Sequence, residues 1–288
     1  MENEPGVYKM SFDDYLADPC PEPSLTRSTI KELLFRTPLH AFYGHPRLNP
    51  NYKEEEGVKK FDIGSAAHSI FLEGEDIAIF LDIDDWRTKA AQSSREEIYA
   101  KGKIPLLRKQ HDEIMAMVKV AHDLLARSEL CTGIVNGDSE LTYIWKEDDV
   151  WCRIRPDWIS KDRTLILDYK TTSTIADPES YNKSLVVSTG LDIQNSFYPR
   201  GVTAIEKTEP DMVFMVQEIE EPYPCSFIRL DMMYADMGDQ KVSRGIKIWR
   251  ECLKSGVWPG YPKTIYTVEP LPWNLASWEI AKNRAEAL

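Results

Sequence analysis

Pro156-Asp157, followed after ten intervening residues by Asp168-Tyr169-Lys170 at the end of Thr164-Leu165-Ile166-Leu167, is the stretch on which the fold turns. Leu165-Ile166-Leu167 is apolar enough for a buried strand. Side chains alternate along a strand, so Asp168 and Lys170 project to one face and Tyr169 to the other. A preceding strand ending near Asp157 brings that carboxylate beside Asp168. Two carboxylates in one place repel each other unless a cation joins them. Mg²⁺ takes oxygen ligands and keeps several waters, which suits such a pair. A lysine next to that cation orients a water and stabilises developing negative charge. These are the parts that phosphodiester hydrolysis requires. An Asp-x-Lys on an exposed strand is commonplace and usually means a solvated edge. Here the pair ends an apolar run, where polar groups need partners.

Outward from this stretch, Leu141–Trp145, Val150–Arg155 and Thr164–Lys170 read as three strands. The mainly acidic turn at 146–149 and polar residues 160–163 separate them, as in an antiparallel meander. Met212–Ile219 and Ser226–Met233 are further strand candidates, and residues 178–206 and 236–255 read as helical. Upstream, Ser28 is placed to cap a helix running through Ile30, Leu33 and Leu34. A short second helix spans His40 to Tyr43, and residues 61–73 form a compact one. Within 104–130, Leu107, Ile114, Met117, Val118, Ala121, Leu124 and Leu125 recur at helical spacing. Residues 1–25 read as an irregular lead-in, 44–60 as a polar loop, and the proline-rich tail as irregular until Trp278–Leu288. The expected class is α/β (α+β), a mixed central sheet flanked by helices. One domain covers 1–288: a mainly helical part over 24–130 carrying His68, a sheet core over 139–235, and a helix with an irregular tail over 236–288.

The net charge of −12 counts against a protein that coats DNA through lysine and arginine. It leaves room for a carboxylate-rich metal site and a local basic channel. Cys20, Cys131, Cys152, Cys225 and Cys252 are scattered and odd in number, which fits free thiols in a reducing compartment and excludes a C-x-x-C knuckle. The opening Met1-Glu2-Asn3-Glu4-Pro5 lacks the apolar core of a signal peptide, and no apolar stretch approaches the ~18 residues of a membrane span. A cytoplasmic protein is therefore expected.

Other candidate residues have two readings each. His68 stands on a helix one turn after Gly64, among small residues that allow another element close. It is either a metal ligand, more readily for Mn²⁺ than Mg²⁺, or a core histidine donating to a carbonyl. Glu140 precedes a strand and is either a further ligand or a solvated glutamate. Gln194 and Tyr198 share a helix face, where they meet the site or form a buried structural pair. Arg27, Lys31 and Arg36 flank the first helix, whose N-terminus, with Ser24, Thr26 and Ser28, could hold a terminal phosphate. Arg153 and Arg155 share a strand face with Asp157 and are candidates for DNA contact. Lys241, Arg244, Lys247 and Arg250 recur every third residue, which drifts around a helix and reads as solvated surface.

The ordered set Gly64-Ser65-Ala66-Ala67-His68, Glu140, Pro156-Asp157, Asp168-Tyr169-Lys170-Thr171-Thr172 and Gln194-x-x-x-Tyr198 resembles the RecB/RecE/lambda-exonuclease branch of the PD-(D/E)xK nucleases. The nearest group is the RecE-like (exonuclease VIII) phage and prophage exonucleases, over roughly residues 24–200. The resemblance implies a restriction-endonuclease-like core and a Mg²⁺ ion, with Mn²⁺ as a substitute. Its ligands would be His68, Asp157, Asp168 and the Tyr169 backbone carbonyl, with Glu140 in addition. Lys170 would be the catalytic lysine, and Gln194 and Tyr198 would face the active site. Asp168 stands where many relatives have glutamate. The implied activity is 5′→3′ exonuclease action on linear duplex DNA in phage-type recombination, in a bacterial or phage-infected cell. A single-strand annealing protein is the implied partner, and a homo-oligomeric ring the implied assembly. A repair or restriction-type endonuclease on the same fold, or a non-catalytic DNA- or protein-binding module, are the alternatives.

Overall fold

The structure, a computed structural model, describes residues 4–52, 63–74, 77–128, 137–184 and 186–286. Its elements begin with β1 (Gly6–Tyr8), α1 (Phe12–Leu16), α2 (Arg27–Phe35), α3 (Pro38–Tyr43) and α4 (Ile63–Glu73). Next come β2 (Ala78–Leu81), α5 (Lys89–Ala100), β3 (Ile104–Leu107) and α6 (Arg108–Arg127). The strands β4 (Gly137–Ser139), β5 (Thr142–Glu147), β6 (Val150–Ile154), β7 (Trp158–Ser160) and β8 (Leu165–Thr172) follow. Then come α7 (Pro178–Ser184), α8 (Val186–Thr189), α9 (Leu191–Glu206), β9 (Asp211–Glu218), β10 (Cys225–Ile228), α10 (Met232–Ser255) and α11 (Pro272–Glu286).

The central sheet has the order β10-β9-β8-β7-β4. Only β8 and β9 run parallel within it, joined through α7–α9, so the sheet is mixed as expected. The expected meander is corrected in one respect: Val150–Ile154 does not pair with Leu165–Thr172. It pairs with β5 in a separate three-stranded sheet, β1-β5-β6, and the short strand β7 takes its place beside β8. The register explains the arrangement. Ser139 opposes Trp158 and Tyr143 opposes Ile154, so the pairing keeps one register on both sides of a break. Residues 137–160 are thus a single bent hairpin whose two halves lie in different sheets. Pro156, which has no N–H for a ladder, stands in the break.

Burial on both faces holds the central sheet. Ile159, Ile166, Phe214 and Val216 enter the largest core with Phe197 and Val202 of α9 and Trp249 of α10. Trp158, Leu167, Tyr169, Val213 and Met215 pack the other way, against Ala121 and Leu125 of α6. The apolar stripe read along α6 is buried at Ile114, Met117, Val118, Ala121 and Leu125. Each of the larger of these, Ile114, Met117, Val118 and Leu125, stabilises the fold by about 1.5–3 kcal/mol relative to exposure. Gly64 lets α4 reach the sheet: a Cβ there would overlap the Thr171 hydroxyl on β8.

Several boundaries differ from expectation for identifiable reasons. The lead-in contains β1 and α1, because β1 gains its ladder only from the distant β5. Thr26, not Ser28, caps α2, accepting from the Thr29 N–H. Helix α10 begins at Met232 because the Asp231 carboxylate accepts from the N–H groups of Met233 and Tyr234, ending the last strand early. Helix α11 starts at Pro272, ahead of Trp278, since proline suits a first turn. Residues 104–107 are a strand, and the helix read there starts at Arg108. The part of the polar loop at 53–60, the helix start at 61–62 and Cys131 fall outside the described residues. Cys20, Cys152, Cys225 and Cys252 are free thiols. Among the described residues, no helix is long and apolar enough to cross a membrane.

Candidate active site

The bend of the hairpin builds the site. Continuing the shared register into the break sets Glu140 opposite Asp157, and the Glu140 N–H donates to the Asp157 carbonyl at 3.2 Å. On the other side of Asp157, Trp158 opposes Leu167, so one further step sets Asp157 opposite Asp168. Glu140, Asp157 and Asp168 therefore lie in one row across three neighbouring strands, which run about 4.8 Å apart. Glu140 takes a left-handed backbone conformation, φ 59°. For a non-glycine residue that costs roughly 1–3 kcal/mol, so the surrounding pairing holds it there.

Helix α4 supplies the fourth member. His68 Nε2 lies 2.9 Å from Asp157 Oδ2, and its ring stacks on Tyr169 at 5.8 Å between centroids. Ligand atoms of His68, Glu140 and Asp157 all lie within 4.8 Å of one another. Asp157 Oδ2 also accepts from the Tyr169 N–H at 2.8 Å. Alternation along β8 is as read: Tyr169 turns into the α6 face, where its hydroxyl donates to Gln217 Oε1. Asp168 and Lys170 turn to the opposite face and form an ion pair between Asp168 Oδ2 and Lys170 Nζ. Asp168 is buried, and its Oδ1 accepts from the side-chain amide of Gln194 on α9. Gln194 Oε1 in turn accepts from Arg27 Nη2 at 3.2 Å. A relay thus runs from the first residue of α2 through α9 to the sheet.

The electrostatics are those of crowded carboxylates. Burial pushes the Asp168 carboxyl up, the Asp157 charge pushes it further, and Lys170 only partly opposes them. Asp157 goes the other way: burial would raise it, but Lys170, His68 and the Tyr169 N–H hold it low. Burial alone would lower the His68 ring, yet Asp157 and Glu140 keep its pKa above the usual value. For Glu140, burial and Asp157 raise the carboxyl against the opposing Arg155. Lys170 is held charged, because Asp168 and Asp157 outweigh its burial. Two acids and one imidazole around a common point, with the buried Asp168 next in the row, fit a divalent cation, whose charge would relieve this repulsion.

Of the residues singled out in the sequence, His68, Glu140, Asp157, Asp168, Lys170, Gln194 and Arg27 meet here. Tyr198 is half-buried one turn from Gln194, in electrostatic reach of Asp157, Asp168 and Arg27. Two expectations of DNA contact are corrected. Arg153 is buried in an ion pair with Asp18 at 2.9 Å, and its Nε donates to the Tyr15 carbonyl at 3.1 Å. Arg155 is bound to Glu140 and donates to the Met10 carbonyl at 2.8 Å. Strand alternation brings both to the Asp157 side, but acids already hold them. The phosphate pocket expected at the start of α2 is also not formed by the residues proposed: Ser24 is buried on Asp18, and Thr26 caps its own helix. Of the surface series, Lys241 pairs with the buried Asp192. Tyr15 and Tyr181 border the site, Tyr15 in reach of Tyr198 and Tyr181 of Lys170 and Asp168. Neither carries a motif, so only the fold reveals them.

Comparison with known proteins bears on the family and the fold. Residues 33–268 match the family model described as a PDDEXK-like domain of unknown function (DUF3799). The fold is similar to the crystal structure of a candidate exonuclease from Eubacterium rectale, with a TM-score of 0.60 and 14% identity, covering 94% of this chain and 98% of that one. An alkaline exonuclease from Laribacter hongkongensis aligns at a TM-score of 0.23 and 11% identity, over 66% of this chain and 91% of that one, too loosely to bear on the argument. No curated protein matches the sequence.

Proposed function

The chain belongs to the family of PDDEXK-like domains, and from that premise we propose that it is a metal-dependent nuclease hydrolysing phosphodiester bonds of linear duplex DNA. The observation that carries this reading is the convergence of His68, Glu140 and Asp157 within 4.8 Å, beside the buried Asp168 and its ion pair with the partly exposed Lys170. His68, Asp157 and Glu140 would hold the cation, with Asp168 and the Tyr169 carbonyl as the remaining ligands. When bound, Mg²⁺ or Mn²⁺ would neutralise phosphate charge and make a water more acidic.

The chain's own groups do the rest. Lys170, held charged by two carboxylates, stabilises negative charge developing on a phosphate oxygen. Gln194 fixes Asp168 so that its second oxygen stays on Lys170. Arg155 holds Glu140 toward Asp157. Arg27 and Tyr198 line the approach to Lys170 on the α9 side and are placed to touch the substrate strand. Exonuclease action is favoured over internal cutting by the description of the Eubacterium rectale neighbour. Motif resemblance supports 5′→3′ polarity, a role in recombination with an annealing protein, and assembly as a ring.

Digestion of linear and covalently closed circular DNA, with and without Mg²⁺, tests the proposal. Mg²⁺-dependent release of nucleotides from linear DNA alone is expected. Asp168→Asn and Lys170→Ala should each lower the rate about 10²–10³-fold, the scale of one lost electrostatic contact to a transition state. Parental rates in both variants would remove these residues from the chemistry, and cutting of closed circles would replace the exonuclease reading by an endonuclease.

A further inference from the structure

Strand alternation sends Val213, Met215 and Gln217 to one face of β9, into the apolar layer that packs on α6. Gln217 is 0% exposed there. An amide buried among apolar side chains costs free energy unless its polar atoms are bonded. Those of Gln217 are. Its Nε2 donates to the Met117 carbonyl of α6 at 3.0 Å and to the Tyr223 carbonyl, in the turn before β10, at 3.1 Å. Its Oε1 accepts from the Tyr169 hydroxyl. The Met117 carbonyl lies inside a twenty-residue helix, whose own ladder already serves it. The Tyr169 hydroxyl has no such reserve: among the described residues Gln217 is its one hydrogen-bond partner.

Tyr169 joins this interior to the candidate site. Its N–H donates to Asp157 Oδ2 at 2.8 Å. Its ring carries two residues of α4. His68 stacks on it with the planes 18° apart, and the Phe71 centroid lies 4.7 Å away. His68 and Phe71 are three apart, so one face of α4 rests on a single phenol ring. A tyrosine ring tied only at its Cβ swings about two torsions. Gln217 ties the far end and leaves the ring one position. The plane of that ring in turn sets the plane of the His68 imidazole, and with it the aim of Nε2, which lies 2.9 Å from Asp157 Oδ2. Glu140 and Asp157 are placed by strand pairing and need no such support. His68 comes from a separate layer and does.

We propose that Gln217 and the Tyr169 hydroxyl are positioning residues for His68, an assignment that rests on the metal-site reading above. Neither touches the cation. Gln217 anchors the phenol ring to α6 and to the turn before β10, and the ring holds the imidazole edge-on to Asp157 and Glu140. Fixing a ligand from behind commonly governs metal affinity by about 10–100-fold. Gln217 belongs to no motif. It interrupts an apolar strand face at the one place where the phenol hydroxyl arrives.

Mn²⁺ uptake by the full chain, read by electron paramagnetic resonance of the free ion, tests this. Tyr169→Phe keeps the ring and removes only the hydroxyl. Gln217→Met keeps the volume, as such swaps must in a packed interior. Each should weaken Mn²⁺ binding about 10-fold. The two together should be no weaker than either alone, because they disable one device. In a His68→Gln background, Tyr169→Phe should cause no further loss. Thermal unfolding of each variant reports on the fold separately. Variants that melt earlier yet bind Mn²⁺ as the parent does would overturn the proposal, since the bond would then serve stability alone. So would a Tyr169→Phe loss that persists in full in His68→Gln, because the ring would then act through Asp157. A parent that takes up no Mn²⁺ would refute the metal-dependent nuclease reading itself, and this assignment with it.

Discussion

Replacing Asp18 by Asn removes one charge from a buried cluster that the sequence does not announce. Asp18 faces His45 Nε2 at 3.3 Å, Arg153 Nη1 at 2.9 Å and Arg47 Nη1 at 3.7 Å, and accepts from the Ser24 N–H and hydroxyl at 2.9 and 2.7 Å. Burial alone would raise its carboxyl, but His45, Arg153 and Ser24 together bring it from 3.8 to about 2. Because the folded value is depressed, the stabilisation is fully present above the unfolded value of 3.8 and is lost as pH falls through 2. Its size by linkage is about 2 kcal/mol. Removing one partner of a buried pair also leaves Arg153 uncompensated, which in other proteins costs about 3–5 kcal/mol. Asn retains an acceptor for Ser24 and tolerates the left-handed backbone at this position, φ 64°. The expected loss at pH 7 is therefore about 2–4 kcal/mol, against a total of about 5–15 for a typical domain. Urea unfolding of parent and variant at pH 7 and pH 3 measures it. The part of the gap due to linkage should shrink to roughly half by pH 3, because the unfolded chain's Asp18 is by then mostly protonated while the folded one is still ionised. A gap that stays constant with pH, or none at pH 7, would refute the assignment of this cluster as a charged structural clamp.

Other outcomes follow from the site. Gly64→Ala should push α4 from β8 by the overlap with Thr171, lowering stability by about 1–3 kcal/mol and displacing His68. Thr171→Ala in the same chain should recover much of both stability and DNA digestion, and failure of that rescue would mean that the close approach is not what Gly64 provides. Arg155→Ala frees Glu140, and calorimetric titration with Mn²⁺ should show affinity about 10–100-fold weaker, the usual effect of losing a group that orients a ligand. If Arg155 instead contacted DNA, metal affinity would be unchanged and only DNA binding would fall.

The faces of Asp168 and Lys170 in the row at the centre were legible because strand alternation and an apolar run are local properties. Asp168, Tyr169 and Lys170 are so close in sequence that strand geometry alone decides their faces. Gln194 with Tyr198, and Gly64 with His68, each lie about one helical turn apart and were readable for the same reason. Arg153 and Arg155 were misread by that very rule. Alternation sets them on the side of Asp157, but Asp18 and Glu140, distant in sequence, neutralise them. Strand β7 was missed because Trp158–Ser160 is too short to show a period, and β1 because its ladder partner is more than a hundred residues away.

The amino-acid sequence by itself determined which residues can form helices and strands, which faces of those elements are apolar, and that two acids and a lysine end one buried strand. The tertiary structure alone decided that the hairpin bends at Pro156 between two sheets. It also decided that Glu140 joins Asp157 through that bend, and that α4 and α9 bring His68 and Gln194 to opposite sides of the same row. Local periodicity encodes an element's faces. Where two such faces meet depends on register and on packing between segments far apart in the chain, and no short stretch of sequence contains that information.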